Sequence, residues 1–297
     1  MFRLIYRQRR RLAFGTFLIT LALFMFLMDA LNIGELYFTE NDPTWLLVAT
    51  LSITLFVCGL IALVVFCAWL VIFPNWRFMI EQFSLVLFIF QAFDALWPAH
   101  SYVPYIGDFI PIIAFFVIFM NAYGTALDRF PIALGMTTTR KYKSSKSAET
   151  LWGELVPLPD NKADHWDSLL SDIEADPATG QQKVTYNHGA SIYQFQRQSF
   201  TELEAPHRAT YRFDGDVSDA NKPIIGGTYE VQIDPIESKG AKVTLRESHD
   251  ALLPRVAIQA WFDDSLGDVT DTLRAREKGK SGWSLTDRYR RKVASLS

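Results

Sequence analysis

The sequence predicts a multi-pass α-helical membrane domain with four transmembrane helices, followed by an α+β domain in which an antiparallel sheet wraps around a long C-terminal helix. Three observations predict this fold class. Residues 12–134 are almost continuously apolar, apolar side chains between residues 191 and 246 recur with a period of two, and those after residue 254 recur near helical spacing. A membrane domain over residues 1–134 is therefore expected to precede a water-soluble one.

Four apolar stretches in the first domain are long enough to cross a bilayer, which takes about 20 residues of helix. They cover about residues 12–33, 45–73, 78–97 and 109–130. Pro43, Pro74 and Pro98 fall at the joints, where a missing N–H does least harm. A cleaved signal peptide is the alternative interpretation of the first stretch, but three spans follow it and no small-residue cleavage site is evident.

Positive charge predicts the orientation of these spans. Basic residues precede the first span, occupy the second loop at Arg77 and follow the last span, whereas the first and third loops contain none. The positive-inside rule then places both termini in the cytoplasm. We expect an integral membrane protein of the multi-pass type, such as those of a bacterial inner membrane.

The third predicted span contains polar residues on one helix face. Glu81, Ser84 and Gln91 share that face and are positioned to contact Asn121 of the fourth span. Such a seam can hold helices together, or it can serve transport or ligand binding. Contact between helices is the favoured interpretation because the sequence shows no paired broken helices.

The second domain alternates apolar and polar residues, which is typical of a sheet with one buried face. Residues 150–156 are predicted to form the first strand, and residues 161–176 one or two short helices. After Pro254 the spacing indicates one long amphipathic helix that includes Trp261. The odd-numbered apolar residues predicted to face inward include Tyr193, Phe195, Tyr211, Phe213, Tyr229, Val231, Val243 and Leu245.

Two segments of this pattern, Gly227-Thr228-Tyr229-Glu230-Val231 and Ala241-Lys242-Val243-Thr244-Leu245-Arg246-Glu247, precede the long helix with Trp261. Over about residues 148–277 the chain resembles the START-like (SRPBCC) superfamily, including its polyketide cyclase/dehydrase-type members. The resemblance implies a helix-grip fold with a deep apolar cavity between sheet and helix. Members bind lipids, sterols, polyketides or other hydrophobic ligands, and a minority are enzymes.

Three polar residues continue the inward parity: Arg197, Glu247 and His249. A charge facing a core is costly unless it is paired, so one hypothesis is that Arg197 pairs with Glu247. The alternative is that strand ends or a bulge turn these three residues toward water. The predicted ligand-binding set is Tyr193, Phe195, Arg197, Tyr211, Phe213, Tyr229, Glu247, His249 and Trp261. No catalytic residue is assigned.

Motifs for metals and cofactors are missing from the sequence. The five histidines show no metal-ligand spacing, and there is no CxxC and no phosphate-binding glycine loop. We therefore predict no metal and no cofactor.

Two basic segments flank the second domain. Residues 135–147 form a predicted linker with Arg140, Lys141 and Lys143, and residues 278–297 a tail with Arg290 and Arg291. Both are expected to contact anionic membrane lipids, although a merely solvated tail remains open. Nucleic acid is not an expected partner, since residues 148–277 carry 12 basic and 23 acidic residues, a balance of −11.

The sequence thus favours a membrane-anchored protein that binds or handles a hydrophobic ligand of the lipid or isoprenoid class. One alternative is a cyclase- or dehydrase-type enzyme that uses Arg197, Glu247 and His249. Another is a structural or signalling subunit whose spans assemble with a membrane protein partner or as a homo-oligomer.

Overall fold

The structure, a computed structural model, describes residues 2–30, 44–96, 106–123, 132–215, 226–236 and 240–295. The chain forms two compact units, Met1–Arg129 and Phe130–Ser297. We call them unit 1 and unit 2 and describe each by itself.

Unit 1 is helical. Its helices are α1 (Phe2–Arg7), α2 (Arg9–Ala30), α3 (Thr44–Ile72), α4 (Met79–Leu96) and α5 (Ile106–Tyr123), with a short 3-10 turn at Pro74–Trp76. Two of these helices are long and apolar enough to cross a membrane by length and composition, over Arg9–Asp29 and Val48–Ile72.

The predicted count of four spans is supported only for its first two members in the described part of the chain. Helices α4 and α5 are 18 residues long, or about 27 Å at 1.5 Å per residue, slightly less than the hydrocarbon core. The predicted ends of the third and fourth spans, at residue 97 and over 124–130, lie outside the described residues. These two spans stay predictions.

Helix α2 packs against both α3 and α4. Leu12 near the start of α2, Leu70 near the end of α3 and Ile80 at the start of α4 form one buried cluster. Helix α3 therefore runs opposite to α2 and α4, as successive crossings of a bilayer require. Gly15 allows the close approach, since a Cβ there would lie 2.5 Å from Ile80 Cγ2.

Unit 2 contains a seven-stranded sheet in which every pair of neighbours is antiparallel, in the order β1-β7-β6-β5-β4-β3-β2. The strands are β1 (Leu134–Ser144), β2 (Leu170–Asp176), β3 (Gln181–Asn187), β4 (Tyr193–Glu204), β5 (Arg208–Gly215), β6 (Gly226–Pro235) and β7 (Ala241–Leu252). The helices are α6 (Ala148–Leu155), α7 (Pro254–Asp263), α8 (Ser265–Glu277) and α9 (Leu285–Ala294). A sheet of this kind with C-terminal helices fits a helix-grip fold, as predicted.

The basic linker predicted over residues 135–147 is wrong, because most of it is strand β1. This strand pairs with β7 from Leu134↔Leu252 to Ser144↔Ala241. Its even residues, such as Tyr142, face the core, whereas Lys141 and Lys143 are exposed. Inward and outward residues alternate along this segment, but its basic residues led to its interpretation as a linker.

Three further predictions for unit 2 were wrong. Residues 150–156, predicted as a strand, lie largely in α6, which Ser147 caps by accepting from the Thr150 N–H at 3.3 Å. The segment 161–176, predicted as helical, contains β2. The long C-terminal helix is broken at Asp264, whose φ of 48° and ψ of 52° are left-handed.

The predicted tail after residue 277 contains helix α9. Ser284 caps this helix, and the buried Asp268 carboxylate accepts hydrogen bonds from the Leu285 and Thr286 N–H groups at 3.0 and 2.7 Å. With β1 and α9 included, unit 2 carries 22 basic and 24 acidic residues, a balance of −2. The strong acidity expected for residues 148–277 therefore does not describe the folded unit.

The core of unit 2 lies between the sheet and helices α6 and α8. Its buried members on the strands include Val231, Ile233, Val243 and Leu245, and those on the helices include Leu151, Trp152, Leu155, Leu266 and Leu273. We call the side of the sheet that these helices cover the inner face.

Candidate functional site

Burial changes along the inner face of the sheet. On β7, Val243 and Leu245 are fully buried, whereas the next two inward side chains, Glu247 and His249, are 26% and 17% exposed. Strand β1 changes in the same direction, from buried Tyr142 to half-buried Met136. Along β7 and β1 the inner face is thus fully buried toward one end and partly exposed toward the other, which we call the open end.

The carboxylate and the imidazole at the open end form a pair. They are two residues apart on one strand and therefore point the same way, with 3.2 Å between Glu247 Oε1 and His249 Nε2. The other ring nitrogen, His249 Nδ1, is buried without a hydrogen-bond partner among the described residues. It is therefore a polar atom beside the Glu247 carboxylate whose hydrogen-bonding capacity no described residue uses.

The surroundings of His249 fix the position of its ring. Phe213 meets the imidazole edge-on, with 5.6 Å between ring centroids. Gly227 lies directly opposite His249 on β6, and a Cβ there would come within 2.0 Å of the Ser248 carbonyl oxygen. Glycine at this position is what allows β6 and β7 to approach so closely beside the imidazole.

An aromatic wall borders the pair. Tyr211 stacks on Tyr229 with centroids 5.5 Å apart, and Phe200 lies 5.4 Å from Tyr211. Burial raises the pKa of both tyrosines well above 10, and the Glu247 carboxylate raises it further. Both phenols therefore keep their protons at physiological pH and can donate hydrogen bonds.

Together these groups can orient a mostly apolar molecule that carries a polar group. The aromatic rings supply apolar area, and the carboxylate, the imidazole and the two hydroxyls supply directional bonds. Among the described residues there is no group of three or more His, Cys, Asp or Glu side chains that could hold a metal ion.

The inner face holds five of the nine predicted ligand-binding residues: Tyr211, Phe213, Tyr229, Glu247 and His249. The members on β4 are placed differently. Arg197 lies opposite Lys183 of β3 on the outer face, with the inward neighbour Gln198 fully buried. Strands β5 and β6 therefore lie between Arg197 and β7, and Arg197 is on the other side of the sheet, so its expected pairing with Glu247 is wrong.

Phe195 and Tyr193 share the outer face with Arg197. The Lys183 ammonium lies 4.8 Å from the centroid of the Phe195 ring, and Tyr193 is exposed. A register shift between Phe200 and Glu202 reverses the parity along this strand, so the odd residues before it point outward. On α7, Trp261 is about half exposed and its neighbour Phe262 is the buried aromatic residue.

A glutamine network on the inner face was not predicted from the sequence. Gln182 Nε2 donates to Gln198 Oε1 at 2.8 Å and to the Pro157 carbonyl at 2.6 Å. Gln198 Nε2 in turn donates to Gln196 Oε1 at 2.7 Å. Apolar periodicity cannot find such positions, because their burial depends on partners from other strands.

In unit 1, Glu81 is paired with a basic residue of another helix. Its Oε2 lies 3.3 Å from Arg11 Nε, and the Arg11 side chain is 1% exposed. Ser84 is also buried and faces α2 at Gly15. Glu81 and Ser84 thus point at α2. The side chain of Asn121 lies outside the described residues, so the predicted seam with it stays a prediction.

The predicted lipid-contacting residues fall into two groups. Arg140 points inward and donates to Asp264, with 2.9 Å between Nε and Oδ1, and Arg290 binds Asp167. Lys141, Lys143 and Arg291 are exposed. Lipid contact remains a prediction for these three.

Comparisons with known proteins reach only part of the chain. No protein-family model matches it, and no curated protein matches it. The Mll3558 protein from Rhizobium loti is 12% identical, with a TM-score of 0.38 over 49% of this chain and 99% of its own. Ara h 8.0201 is 15% identical, with a TM-score of 0.36 over 49% and 97%. A conserved protein from Geobacillus kaustophilus is 14% identical, with a TM-score of 0.34 over 55% and 96%.

These likenesses are too distant to assign a family. The fold and the site described above therefore rest on the strands, contacts and burial of this chain itself.

Proposed function

We propose that the protein is a membrane-anchored carrier or receptor that binds a hydrophobic ligand of the lipid or isoprenoid class at the open end of unit 2. The observation that carries this proposal is the change of burial along β7, from the fully buried Leu245 to the accessible Glu247 and His249. A sheet that served only as a packed core would be covered to its end, because exposed inner surface contributes no burial energy.

The polar groups at this end favour a ligand with a hydroxyl or similar head. A ligand hydroxyl can donate either to the Glu247 carboxylate or to His249 Nδ1, which is the acceptor of the neutral ring when Nε2–H donates to Glu247. The aromatic wall of Tyr211 and Tyr229 can pack against the apolar body. Leaving His249 Nδ1 buried and unbonded costs roughly 1–3 kcal/mol, which a bound ligand would recover.

Membrane anchoring is supported by α2 and α3, which are long and apolar enough to span, and by their alternating direction. We include in the proposal four spans, a bacterial inner membrane and cytoplasmic termini, as the basic residues of the sequence favour. Tethering keeps an apolar ligand close to the bilayer, so that it crosses little water.

A second candidate is an enzyme of the cyclase or dehydrase type on a polyketide-like substrate. The 3.2 Å separation of Glu247 and His249 favours it, since an imidazole held by a carboxylate can act as a general base. The outward position of Arg197 removes one of the three polar residues on which this candidate was based.

The test is to purify the full chain in mild detergent and to identify co-purifying small molecules by native mass spectrometry and organic extraction. The Glu247→Gln variant should retain its ligand about tenfold less tightly, since a lost charge-assisted bond costs about 1.5–3 kcal/mol. Glu230→Gln is the matched control, because Glu230 lies on the outer face of β6 and pairs with Arg208.

Three outcomes separate the candidates. Ligand loss in the Glu247 variant alone supports binding at the open end. Chemical conversion of a supplied substrate, lost in the same variant, supports the enzyme. Delipidated protein that binds no member of a broad hydrophobic panel contradicts both.

A further inference from the structure

We propose that the open end of unit 2 is a membrane-contacting surface, whose exposed apolar side chains enter the headgroup region of an anionic bilayer. This surface deepens the proposed function, because it would let a ligand pass between bilayer and inner face. The evidence for this membrane contact is the exposed side chains and the strand topology, and it does not depend on the identity of the ligand.

Strand topology brings several chain segments to this end. Because all neighbours are antiparallel, the end of β7 near Leu252 meets the start of β1 at Leu134, and the end of β3 at Asn187 meets the start of β4 at Tyr193. Helix α7 begins two residues after β7, at Pro254. The loop after β3, the entry to β1 and the start of α7 therefore lie along one edge of the unit.

These segments expose large apolar side chains. Those at or next to this edge are Ile132, Leu134, Ile192, Tyr193, Val256 and Ile258. At the opposite end of the sheet, where β4 leads into β5, the end of β4 has one such residue, Leu203. A soluble surface rarely gathers so many exposed apolar side chains unless a partner covers them.

The course of the chain favours a bilayer as that partner. Residue 132, at this edge, follows the end of α5 at Tyr123 by nine residues. Along the chain, this edge is therefore the end of the sheet nearer to the helices of unit 1, and the 11 residues of β1 then lead to the opposite end.

Basic side chains lie beside the apolar ones. The His188 ring, in the loop after β3, is 2.9 Å from the Tyr289 hydroxyl of α9, which brings α9 to this edge. One turn further along α9, Lys292 is exposed, next to the half-exposed Arg291. Each basic residue near an anionic leaflet contributes about 1 kcal/mol, in addition to the apolar insertion.

The experiment compares two single-cysteine variants of the full chain in which Cys58 and Cys67 are replaced by alanine. Ile192→Cys places an environment-sensitive fluorophore at the open end, and Leu203→Cys places it at the other end of β4. The two native side chains are similarly exposed, at 60% and 48%. Each protein is reconstituted into phosphatidylcholine/phosphatidylglycerol vesicles with and without a headgroup-region nitroxide lipid.

We expect the nitroxide lipid to quench the label at position 192 at least twofold more than the label at position 203, with a blue-shifted emission at 192. Equal quenching at both positions, or none at 192, overturns the proposal. A blue shift at 192 that depends on protein density and is insensitive to the nitroxide lipid also overturns it, and assigns the edge to a second copy of the chain.

Failure here is distinguishable from failure of the proposed function. If the label at position 192 is quenched in protein that retains no hydrophobic molecule, the membrane-contacting surface is supported and the proposed ligand is contradicted. If the protein retains a ligand but the label is not quenched, the ligand is supported and the membrane-contacting surface is contradicted.

Discussion

Replacing Arg290 with alanine should destabilise unit 2 by about 3 kcal/mol, although this residue lies in the segment that the sequence indicated as a basic tail. Its guanidinium donates to both Asp167 oxygens, at 2.7 and 2.6 Å, and lies 4.2 Å from the centroid of the Trp166 ring. Burial alone would raise the pKa of Asp167, but the hydrogen bonds and charge of Arg290 outweigh burial and lower it.

The size of this loss of stability follows from the burial of the Asp167 carboxylate, which the substitution deprives of Arg290. The Arg290 and Asp167 side chains are only 13% and 12% exposed, and removing one partner of a buried pair costs about 3–5 kcal/mol. Asp167 still accepts the Leu169 N–H at 3.0 Å and has slight access to water, which favours the lower value. For a unit of this size, about 3 kcal/mol lowers the melting temperature by roughly 6–12 °C.

Urea unfolding of the full chain in mild detergent, followed by tryptophan fluorescence, measures this change. The neighbouring Arg291→Ala is the control: its side chain is half exposed and pairs with Asp287 at 3.2 Å, so its loss should cost less than about 1 kcal/mol. Equal, small effects of the two substitutions would refute the reasoning. The double variant Arg290→Ala/Asp167→Asn should recover part of the loss, because it removes the orphaned charge.

Three further predictions concern other positions. Gly227→Ala should lower stability by at least about 2 kcal/mol in thermal unfolding, because its Cβ would press on the Ser248 carbonyl; unchanged melting would contradict this close approach. Burial lowers the pKa of His165 to about 4, so between pH 6.5 and 4 the unfolded chain binds a proton that the folded chain does not. Stability should fall by about 3 kcal/mol across that range, and His165→Gln should flatten this slope. Glu81→Ala removes the carboxylate that lies 3.3 Å from the buried Arg11 Nε, so the melting temperature in detergent should drop; an unchanged melting temperature would contradict a stabilising role for this pair.

Part of this fold could be predicted from local sequence alone. Alternation correctly placed Tyr211, Tyr229 and Leu245 on one face, since the pairing of β5, β6 and β7 keeps a constant register. The same rule failed at Phe195, because the register shift after Phe200 depends on how β4 pairs with β5. No window of the sequence contains that information.

Charge patterns misled the prediction for a related reason. Arg140 and Arg290 belong to clusters that are typical of solvated linkers and tails. Their partners, Asp264 and Asp167, are 124 and 123 residues away in the chain. A basic cluster that pairs with the folded unit cannot be told from a solvated one until such distant partners are known. The predicted tail therefore includes a helix, α9, that Arg290 holds to Asp167.

The break of the C-terminal helix at Asp264 connects the fold to the site. Arg140 from β1 holds the carboxylate of Asp264, the residue between the end of α7 and the start of α8, which packs on the inner face. Asparagine and aspartate tolerate the left-handed conformation better than most residues, yet it remains uncommon and needs support. An unbroken helix would continue in the direction of α8, whereas the break gives α7 a course of its own beside the open end. The Arg140–Asp264 contact therefore ties β1 to the residue at which the C-terminal helix breaks, and it makes β1 part of the folded unit rather than a linker to it.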